Sequence, residues 1–546
     1  MNIAHRITDI VKRNPSKKAV VFPLKRHRDG SYTYHHYTYQ QFDERSNQIA
    51  NGLVKAGIKK GMKTLVFVKP CLDFSAITFA LFKIGAVPVF IDPGMGRVNL
   101  LAAIKQVTPE ALIGIPLVHL IRLFFRSSFK NLKILLTTGK LTWGKMQSLT
   151  SFGDQSKFFT TQDLDKKDLA AILFTSGGTG VPKGVEYTHS IFNHQTDMLQ
   201  EMFNLTDGDV DLPGFPLFSF FTMSMGMTSV IPDMDPSKPA KSNPAYLIRN
   251  IKDHKASFVA GSPAIWERVA DYCHQHQLSL PSVKFLVMFG APVSLELHQK
   301  FSKILPNGTT YTPYGATESL PVANASGKVI LESAKDKMLG GSGTSLGRPV
   351  MGIDMKIIKI SDAPLARYDQ VTELPANQIG EIIIKGPIVT KAYHQMNSKT
   401  VEAKIYDGEE IWHRIGDIGY FDEQGELWFC GRKSHRVEDG DTLYSSIQCE
   451  AIFNQHPEVK RSALIGLGKL GLQEPALFVE RKDGRILKGQ KASRFKKELL
   501  ELGKNHSHTL PINKFYSAKN FPVDVRHNIK IDRLKLKSRA NAGTSL

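Results

Sequence analysis

The segment that most constrains the fold is a ten-residue run rich in glycine and hydroxyl residues, 175–184, set between an apolar run and a second strand-like run. The run before it, 169–174, reads Leu-Ala-Ala-Ile-Leu-Phe, and 185–189 reads Val-Glu-Tyr-Thr-His. Glycines let backbone amides approach phosphate oxygens closely, and Lys183 adds positive charge. A Walker loop would end in Gly-Lys-Ser/Thr and lead directly into a helix. The segment therefore predicts a phosphate-binding loop between two strands and disfavours a P-loop NTPase.

Helical and strand-like patterns alternate through the first third of the chain. Apolar residues at helical spacing mark 39–57, and 74–85 is an apolar run of helix-forming residues. The runs 64–68 and 87–93 are short and β-rich. Strand, helix and strand at this spacing predict a parallel sheet with crossover helices. The expected fold class is therefore α/β.

The pattern changes in the last two fifths of the chain. Around 350–430, short strands are broken by glycine and charge, which predicts an antiparallel, barrel-like piece. The polar stretch 434–441 reads as a linker, and the residues after it as a small unit. We expect a large body over 1–433, with parallel α/β sheets plus the small barrel, and a small mobile α+β lid over 434–546.

Length and composition exclude several classes of protein. A chain of 546 residues exceeds what one hydrophobic core usually supports. The four cysteines are widely scattered, which fits a reducing cytoplasm better than a disulfide or zinc framework. The N-terminus lacks a signal-peptide pattern, and no apolar stretch reaches about 18 residues. We expect a cytoplasmic protein that is neither secreted by that route nor membrane-spanning.

The net charge of +20 has several interpretations. Nucleic-acid binding is disfavoured because the basic residues are dispersed and no nucleic-acid motif accompanies them. Three interpretations of the charge remain: an acidic substrate, acidic partners or an anionic membrane surface. A membrane surface would imply peripheral contact with the inner face of the membrane. The segment 121–130 mixes basic and bulky apolar residues, as interfacial helices do. The more ordinary alternative for it is a core-facing helix with solvated arginines.

Further motifs follow the phosphate loop in a fixed order. They are Gly290-Ala291-Pro292, the run Tyr-Thr-Pro-Tyr-Gly-Ala-Thr-Glu at 311–318, Gly416-Asp417, Gly431-Arg432, and Asn-Ile-Lys-Ile-Asp-Arg at 528–533. With the loop, this series resembles the adenylate-forming enzymes: acyl-CoA synthetases, luciferases and peptide-synthetase adenylation domains. The resemblance covers essentially the whole chain. It implies an ATP-using, AMP-binding adenylation domain over 1–433 and a catalytic lid over 434–546.

The resemblance also implies the roles of individual residues. It makes Lys183, Glu318 and Lys530 catalytic, with Lys530 bridging the substrate carboxylate and the α-phosphate. Mg²⁺ would be held by Glu318 and Thr175, and Asp417 would accept both ribose hydroxyls. Taken singly, these residues have ordinary alternatives, such as a turn aspartate or a solvated lysine. The implied nucleotide-binding set is Thr175, Ser176, Gly177, Gly178, Thr179, Gly180, Gly290, Ala291, Pro292, Tyr314, Gly315, Ala316, Thr317, Asp417 and Arg432.

Departures from the common family pattern indicate the subgroup. Ser219 stands where many acyl-CoA synthetases have a histidine, His435 occupies the hinge position, and 440–446 diverges from the lid sequence that guides CoA. These changes weaken the case for thioester formation more than the case for adenylation. The stretches 211–218, 232–236, 314–323 and 526–533 resemble OleC-type β-lactone synthetases of bacterial olefin biosynthesis.

Three hypotheses follow from the resemblance. The first is β-lactone formation from a long-chain β-hydroxy acid, in which the substrate's own hydroxyl displaces AMP; other enzymes of a hydrocarbon pathway would then be partners. The second is a fatty acyl-CoA ligase, with CoA as an additional cofactor. The third, from a different class, is a degenerate nucleotide-binding or scaffold protein without catalysis. Seven residues are predicted either to form a wall for a long acyl chain or to pack in the core: Phe215, Phe218, Phe220, Phe221, Met223, Met225 and Met227.

Overall fold

The computed structural model describes residues 1–175, 181–523 and 531–540. Four sheets organise the described residues, and the α/β class is confirmed. None of the helices in these ranges combines the length and apolar character needed to cross a membrane. The α-helices are His5–Arg13, Tyr39–Lys55, Leu72–Ile84, Arg97–Val107, Pro116–Phe124, His189–Phe203, Ser219–Ser224, Pro244–His254, Pro263–Gln275, Leu295–Ile304, Gly327–Val329, Lys335–Leu339, Asn397–Ala403, Ser446–Phe453, Gly489–Lys504 and Arg533–Ala540.

Local sequence explains where the first predicted helices begin and end. Thr38 and Gln41 form a capping box at the start of Tyr39–Lys55, satisfying backbone amides that the helix leaves open. Gly85 ends Leu72–Ile84 in the left-handed conformation with a φ of 72°. The helix Leu72–Ile84 is buried on nearly all sides, and it packs against strands of both large sheets. It therefore forms the centre of the main core.

The phosphate loop's two flanking strands lie at one edge of a seven-stranded sheet. Leu169–Thr175 and Lys183–Thr188 pair antiparallel, and every other pair in this sheet is parallel. The two strands predicted on either side of the loop are confirmed. The strand order is Gln147–Ser148, Ile134–Thr137, Ala111–Gly114, Lys63–Phe67, Val87–Phe90, Leu169–Thr175 and Lys183–Thr188.

A nine-stranded sheet has a parallel centre and antiparallel edges. The antiparallel hairpin Thr309–Ala316 and Ser319–Ser326 lies near one edge and carries the predicted 311–318 motif in its first strand and turn. The strand order is Arg348–Pro349, Ser319–Ser326, Thr309–Ala316, Phe285–Met288, Phe258–Gly261, Val210–Pro213, Thr228–Val230, Lys18–Arg26 and Tyr32–Thr38.

The predicted antiparallel piece is a six-stranded sheet. Lys404–Asp407 pairs with the long strand Glu410–Phe421, beside the main path of the sheet. Glycine and charge interrupt the sequence here because tight turns join the strands. The order along the main path is Thr344–Ser345, Leu427–Arg432, Glu410–Phe421, Gly380–Lys385 and Asp354–Ile358.

The fourth sheet has five strands and lies within 437–518. Its order is Thr442–Tyr444, Val437–Asp439, Leu472–Arg481 and Val459–Lys469, with Lys514–Ala518 parallel to Leu472–Arg481. The linker prediction for 434–441 is partly wrong because Val437–Asp439 is a strand of this sheet. Val437 is buried in the sheet's core and is the only apolar residue of 434–441, so the segment reads as polar. The division into 1–433 and 434–546 stays a prediction.

The segment 121–130 does not form a core-facing helix. The helix covers Pro116–Phe124, and His119 is its only buried residue. Its large apolar side chains Leu117, Leu120 and Phe124 are exposed. The helix ends at Phe124 and a turn follows, so the basic residues Arg126 and Lys130 lie beyond it.

Candidate active site

A cavity of about 2450 Å³ brings the predicted site residues together. It opens between the large sheets, the six-stranded sheet and the C-terminal sheet. Ser176, Gly177, Gly178, Thr179, Gly180 and Lys530 lie outside the described residues. Every other residue of the predicted site lines this cavity: Thr175, Lys183, Gly290, Ala291, Pro292, Tyr314, Gly315, Ala316, Thr317, Glu318, Asp417 and Arg432.

The two ends of the phosphate loop face each other. Thr175 and Lys183 are paired residues of the antiparallel strands. The Lys183 ammonium lies 4.8 Å from the ring centroid of Tyr393, within the range of a cation–π contact. The segment that carries Tyr393 is fixed beside the loop, because the backbone amide of His394 donates to the carbonyl of Gly184 at 2.7 Å. Lys183 is thus held at the cavity wall by an aromatic ring.

Glu318 lies in the two-residue turn of the hairpin formed by Thr309–Ala316 and Ser319–Ser326. Its side chain is mostly buried, and its Oε1 accepts a hydrogen bond of 2.5 Å from the Tyr393 hydroxyl. Its backbone carbonyl accepts from the Thr390 amide at 2.9 Å. The Tyr187 hydroxyl also donates to the Thr317 carbonyl. The backbone of the turn is therefore held from two sides, and Tyr393 orients the Glu318 carboxylate.

Asp417 and Tyr314 form a second polar pair in the cavity. The Tyr314 hydroxyl donates to Asp417 Oδ2 at 2.6 Å, and Asp417 is 3% exposed. Arg432, its neighbour on the paired strand, places Nη1 2.8 Å from Asp417 Oδ1. Burial raises the pKa of Asp417, and the Arg432 charge opposes that shift. Among the described residues, Oδ1 accepts no well-directed hydrogen bond, so this buried oxygen can still accept a hydroxyl donor.

Two glycines shape the wall between these groups. Gly290 follows the strand Phe285–Met288 with a φ of 87°, a backbone conformation that favours glycine. Gly315 lies in the strand Thr309–Ala316 next to a register shift. A Cβ atom there would come within 2.4 Å of the Ser319 carbonyl oxygen, which leaves no space for a side chain. Backbone therefore lines this part of the cavity, as a flat aromatic ligand requires.

Sequence reasoning missed a buried lysine behind Glu318. Lys404 is 1% exposed, and its ammonium donates to the Thr390 carbonyl, so Thr390 connects it to Glu318. Burial lowers the pKa of Lys404 to about 7, against the opposing pull of the Glu318 carboxylate. His413 is also buried, and its pKa falls well below the usual value through burial and the nearby Lys404 charge. In sequence, both residues look like ordinary polar residues of a strand pair.

The predicted hinge begins at a buried ion cluster. The Glu381 carboxylate is fully buried, and it pairs with Arg414 at 2.7 Å and with Lys433 at 3.1 Å. Lys433 also begins a short 3₁₀ turn, Lys433–His435. Burial and the charges of Arg533 and Arg432 lower the pKa of His435 to about 4, so the imidazole is neutral at pH 7. The hinge histidine therefore brings no positive charge to the cavity.

The described residues next to Lys530 are anchored in the C-terminal sheet. Ile531 forms an isolated bridge with Val523. Arg533 pairs with Glu450 at 2.6 Å and donates to the Leu464 carbonyl at 2.9 Å. Ile531 and Arg533 both line the cavity. The chain thus returns to the cavity beside the position predicted for the catalytic lysine.

The predicted acyl wall divides between cavity and core. Met223 and Met227 are fully buried and do not line the cavity, so core packing is the correct alternative for them. The remaining five residues line it: Phe215, Phe218, Phe220, Phe221 and Met225. Ser219 is turned away from this cavity, and its hydroxyl donates to the Pro216 carbonyl at 2.6 Å.

The arrangement combines three chemical environments in one cavity. Lys183 and Glu318 provide a cation and a carboxylate at the phosphate loop, and Asp417 provides a buried acceptor beside an aromatic ring. The phenylalanine wall provides an apolar compartment. Such a site can hold a nucleotide at one end and an apolar chain at the other.

Comparison with known proteins agrees with this arrangement. Residues 7–394 match the family described as AMP-binding enzyme. An olefin β-lactone synthetase from Xanthomonas campestris pv. campestris is 40% identical over 98% of this chain and 96% of its own. Another from Stenotrophomonas maltophilia is also 40% identical, over 99% and 98% of the two chains.

Solved structures share the fold at lower identity. The amide bond synthetase McbA from Marinactinospora thermotolerans matches with a TM-score of 0.79 at 20% identity, over 98% of this chain and 99% of its own. ATP-bound MatB from Rhodopseudomonas palustris matches with a TM-score of 0.76 at 20% identity, over 98% of each chain. The chain belongs to the AMP-binding family and is an adenylate-forming, ATP-using ligase or synthetase.

Proposed function

We propose that this enzyme activates a long-chain β-hydroxy acid as its acyl-adenylate and closes it to a β-lactone. The observation that carries the proposal is 40% identity, along nearly the whole chain, to two olefin β-lactone synthetases. The phenylalanine wall of the cavity suits the apolar chain of such an acid.

In this proposal the polar end of the cavity holds ATP. Asp417 accepts from the ribose hydroxyls, which fits its buried Oδ1. Tyr314 lies against the adenine beside the backbone of Gly290 and Gly315, and the loop 175–184 holds the phosphates. The Glu318 carboxylate and the Thr175 hydroxyl are oxygen ligands of the kind that Mg²⁺ prefers. Held there, Mg²⁺ would supply positive charge that offsets the negative charge of the phosphates.

The first step joins the acid to the α-phosphorus. A carboxylate oxygen forms a bond to that phosphorus while the bond to the bridging oxygen breaks, and pyrophosphate leaves with that electron pair. The main barrier is the approach of two anions, so positioned cations lower it most. Lys183 neutralises negative charge on the phosphates. Lys530 stabilises the negative charge that accumulates between the carboxylate and the α-phosphate.

The second step uses a nucleophile already in the substrate. The β-hydroxyl oxygen bonds to the acyl carbon, the bond from that carbon to the AMP oxygen breaks, and the hydroxyl proton is released. The products are the four-membered lactone and AMP. Held close to the acyl carbon, an intramolecular hydroxyl has a high effective concentration. An external thiol is therefore not required.

Features of the site on the CoA side support this choice. The Ser219 hydroxyl is engaged by the Pro216 carbonyl, and His435 is neutral at pH 7. The divergent segment 440–446 contributes to a tight hairpin of Val437–Asp439 with Thr442–Tyr444, which belongs to the C-terminal sheet. These positions depart from the family pattern associated with thioester formation.

The test is product analysis with and without CoA. The enzyme is incubated with ATP, Mg²⁺ and a long-chain 3-hydroxy acid, and the products are identified by mass spectrometry. We expect AMP and a product that is lighter than the acid by one water, at equal rates with and without CoA. The matched acid without the hydroxyl should stop at the acyl-adenylate. Product formation that depends strictly on CoA, from both acids, would show an acyl-CoA ligase instead.

A further inference from the structure

The helix Pro116–Phe124 presents its apolar residues outward. Leu117, Leu120, Ile121 and Phe124 follow the spacing i, i+3, i+4 and i+7, so they share one face. All four are exposed, Leu117 to 58% and Phe124 to 83%. The opposite face packs inward, where His119 is buried and its Nε2 lies 3.0 Å from the Leu136 carbonyl. This orientation is the reverse of an ordinary surface helix.

A neighbouring loop extends the apolar surface. Leu141 and Trp143 are exposed, and the Trp143 ring lies edge-on to His119 with ring centroids 6.3 Å apart. Gly139, at the start of this loop, lies directly against Pro116. We call the six exposed side chains the docking face: Leu117, Leu120, Ile121, Phe124, Leu141 and Trp143. Exposed apolar side chains gathered on one helix and its adjoining loop mark an interaction site.

The surroundings of the docking face are cationic. Residues 111–153 contain six lysines and arginines and neither aspartate nor glutamate. Lys133 pairs with Glu110 at 3.2 Å. The other five have no ion pair with any residue that the structure describes: Arg122, Arg126, Lys130, Lys140 and Lys145. An apolar strip with a cationic surround, including an exposed tryptophan, is the composition of helices that lie in the headgroup region of anionic bilayers.

The inner side of the same helix adjoins the active-site cavity. Ile115, which precedes the helix, and Val118 within it both line that cavity. The Ile115 amide donates to the Phe67 carbonyl at 3.0 Å, which ties the start of the helix to the seven-stranded sheet. The helix thus separates the cavity from the outer surface at this end.

We propose that the docking face binds the surface of an anionic lipid bilayer, with the helix Pro116–Phe124 lying in the plane of the headgroups. The apolar side chains enter the headgroup boundary, and the exposed Arg126, Lys130, Lys140 and Lys145 face the lipid phosphates. Resting on the proposed function, this placement brings the cavity next to the phase in which a long-chain acid and its lactone dissolve. Charge complementarity favours a lipid surface over a second copy of this basic chain.

Vesicle flotation of the full-length enzyme tests the proposal. We expect binding to vesicles of phosphatidylcholine with about 30% phosphatidylglycerol, weak binding to phosphatidylcholine alone, and loss of binding as salt is raised. Leu120→Ser/Phe124→Ser and Arg126→Glu/Lys130→Glu should each weaken binding by about tenfold or more. The matched control Phe158→Ser/Leu472→Ser removes a highly exposed phenylalanine and leucine elsewhere and should bind as the wild type does.

The remaining outcomes are also decisive. Equal binding by the wild type and the docking-face variants, or no binding to anionic vesicles, would overturn the proposal. A change of oligomeric state in Leu120→Ser/Phe124→Ser, measured by light scattering without lipid, would show a protein interface and overturn it too. Lactone formation from detergent-dispersed acid is measured in parallel for every variant. That activity should be unchanged in every variant. Loss of vesicle binding therefore reports on docking alone, whereas absence of lactone formation in the wild type would count against the proposed function.

Discussion

The Tyr393 hydroxyl lies 2.5 Å from Glu318 Oε1, while its ring faces the Lys183 ammonium at 4.8 Å. One side chain from an irregular segment therefore positions both charged groups that we assign to the triphosphate. Burial and the adjacent Glu318 carboxylate raise the pKa of Tyr393, so it remains a hydrogen-bond donor at any working pH. These contacts are made within the protein itself, which is the preorganisation that electrostatic catalysis needs.

Tyr393→Phe should lower the rate of acid-dependent pyrophosphate exchange by about 10- to 100-fold and raise the Mg²⁺ concentration required for half-maximal rate. The reason is that Glu318 loses its donor while the aromatic ring under Lys183 remains. Exchange of labelled pyrophosphate into ATP at varied Mg²⁺ measures both effects. The control Tyr406→Phe alters an exposed tyrosine and should change neither. A normal Mg²⁺ dependence in Tyr393→Phe would contradict the assignment of Glu318.

Asp417→Asn should weaken ATP binding by about 10- to 100-fold, since a hydrogen bond to a charged group contributes about 1.5–3 kcal/mol. The variant also leaves Arg432 without its anionic partner. Isothermal titration with ATP measures the dissociation constant. Asp441→Asn, a change at an exposed position of the C-terminal hairpin, is the matched control. Unchanged ATP affinity would show that Asp417 stabilises the fold and does not bind the ribose.

Lys404→Met should make the protein more stable and less active. The folded pKa of Lys404, about 7, lies below the value of about 10.4 for a free lysine, so the unfolded chain binds the proton more tightly. The free energy of unfolding of the wild type therefore rises with pH between about 7 and 10. Below about pH 7 the buried lysine is charged, and its destabilising effect is at its full size. The stability gain of the variant, measured by chemical denaturation, should be largest below pH 7 and shrink towards pH 10. A stability gain that does not change with pH would contradict a lowered pKa of Lys404 in the folded protein.

Lys530→Ala should reduce adenylation by about 100-fold or more and leave ATP binding within about twofold of the wild type. The resemblance assigns this lysine to charge that develops only as the carboxylate attacks. Pyrophosphate exchange and ATP titration separate the two effects. Lys535→Ala removes a nearby exposed lysine and serves as the control. Equal loss of binding and adenylation would remove the catalytic assignment.

The strands around the phosphate loop could be predicted because their apolar runs and glycines carry local signals. Leu169–Thr175 and Lys183–Thr188 follow directly from those patterns. The meeting of Tyr314 with Asp417 could not be derived locally, because the residues are far apart in sequence and belong to different sheets. Only the order of the family motifs indicated that the two would share a site.

Other features escaped prediction for identifiable physical reasons. Tyr393 lies outside regular structure, so no periodicity marks it. Lys404 is buried only because its strand pairs beside Glu410–Phe421 and turns the side chain inward, and sequence gives no sign of that. The outward orientation of Leu117 and Leu120 is a property of tertiary packing, and the spacing alone fits either a core or a surface face.

The most direct test of the central claim follows the oxygen atoms. A long-chain 3-hydroxy acid labelled with ¹⁸O in both carboxyl oxygens is incubated with ATP, Mg²⁺ and enzyme, without CoA, and the products are analysed by mass spectrometry. Adenylation followed by attack of the unlabelled hydroxyl predicts one label in AMP and one in the lactone. A lactone carrying both labels with unlabelled AMP, or no product until CoA is added, would contradict the account.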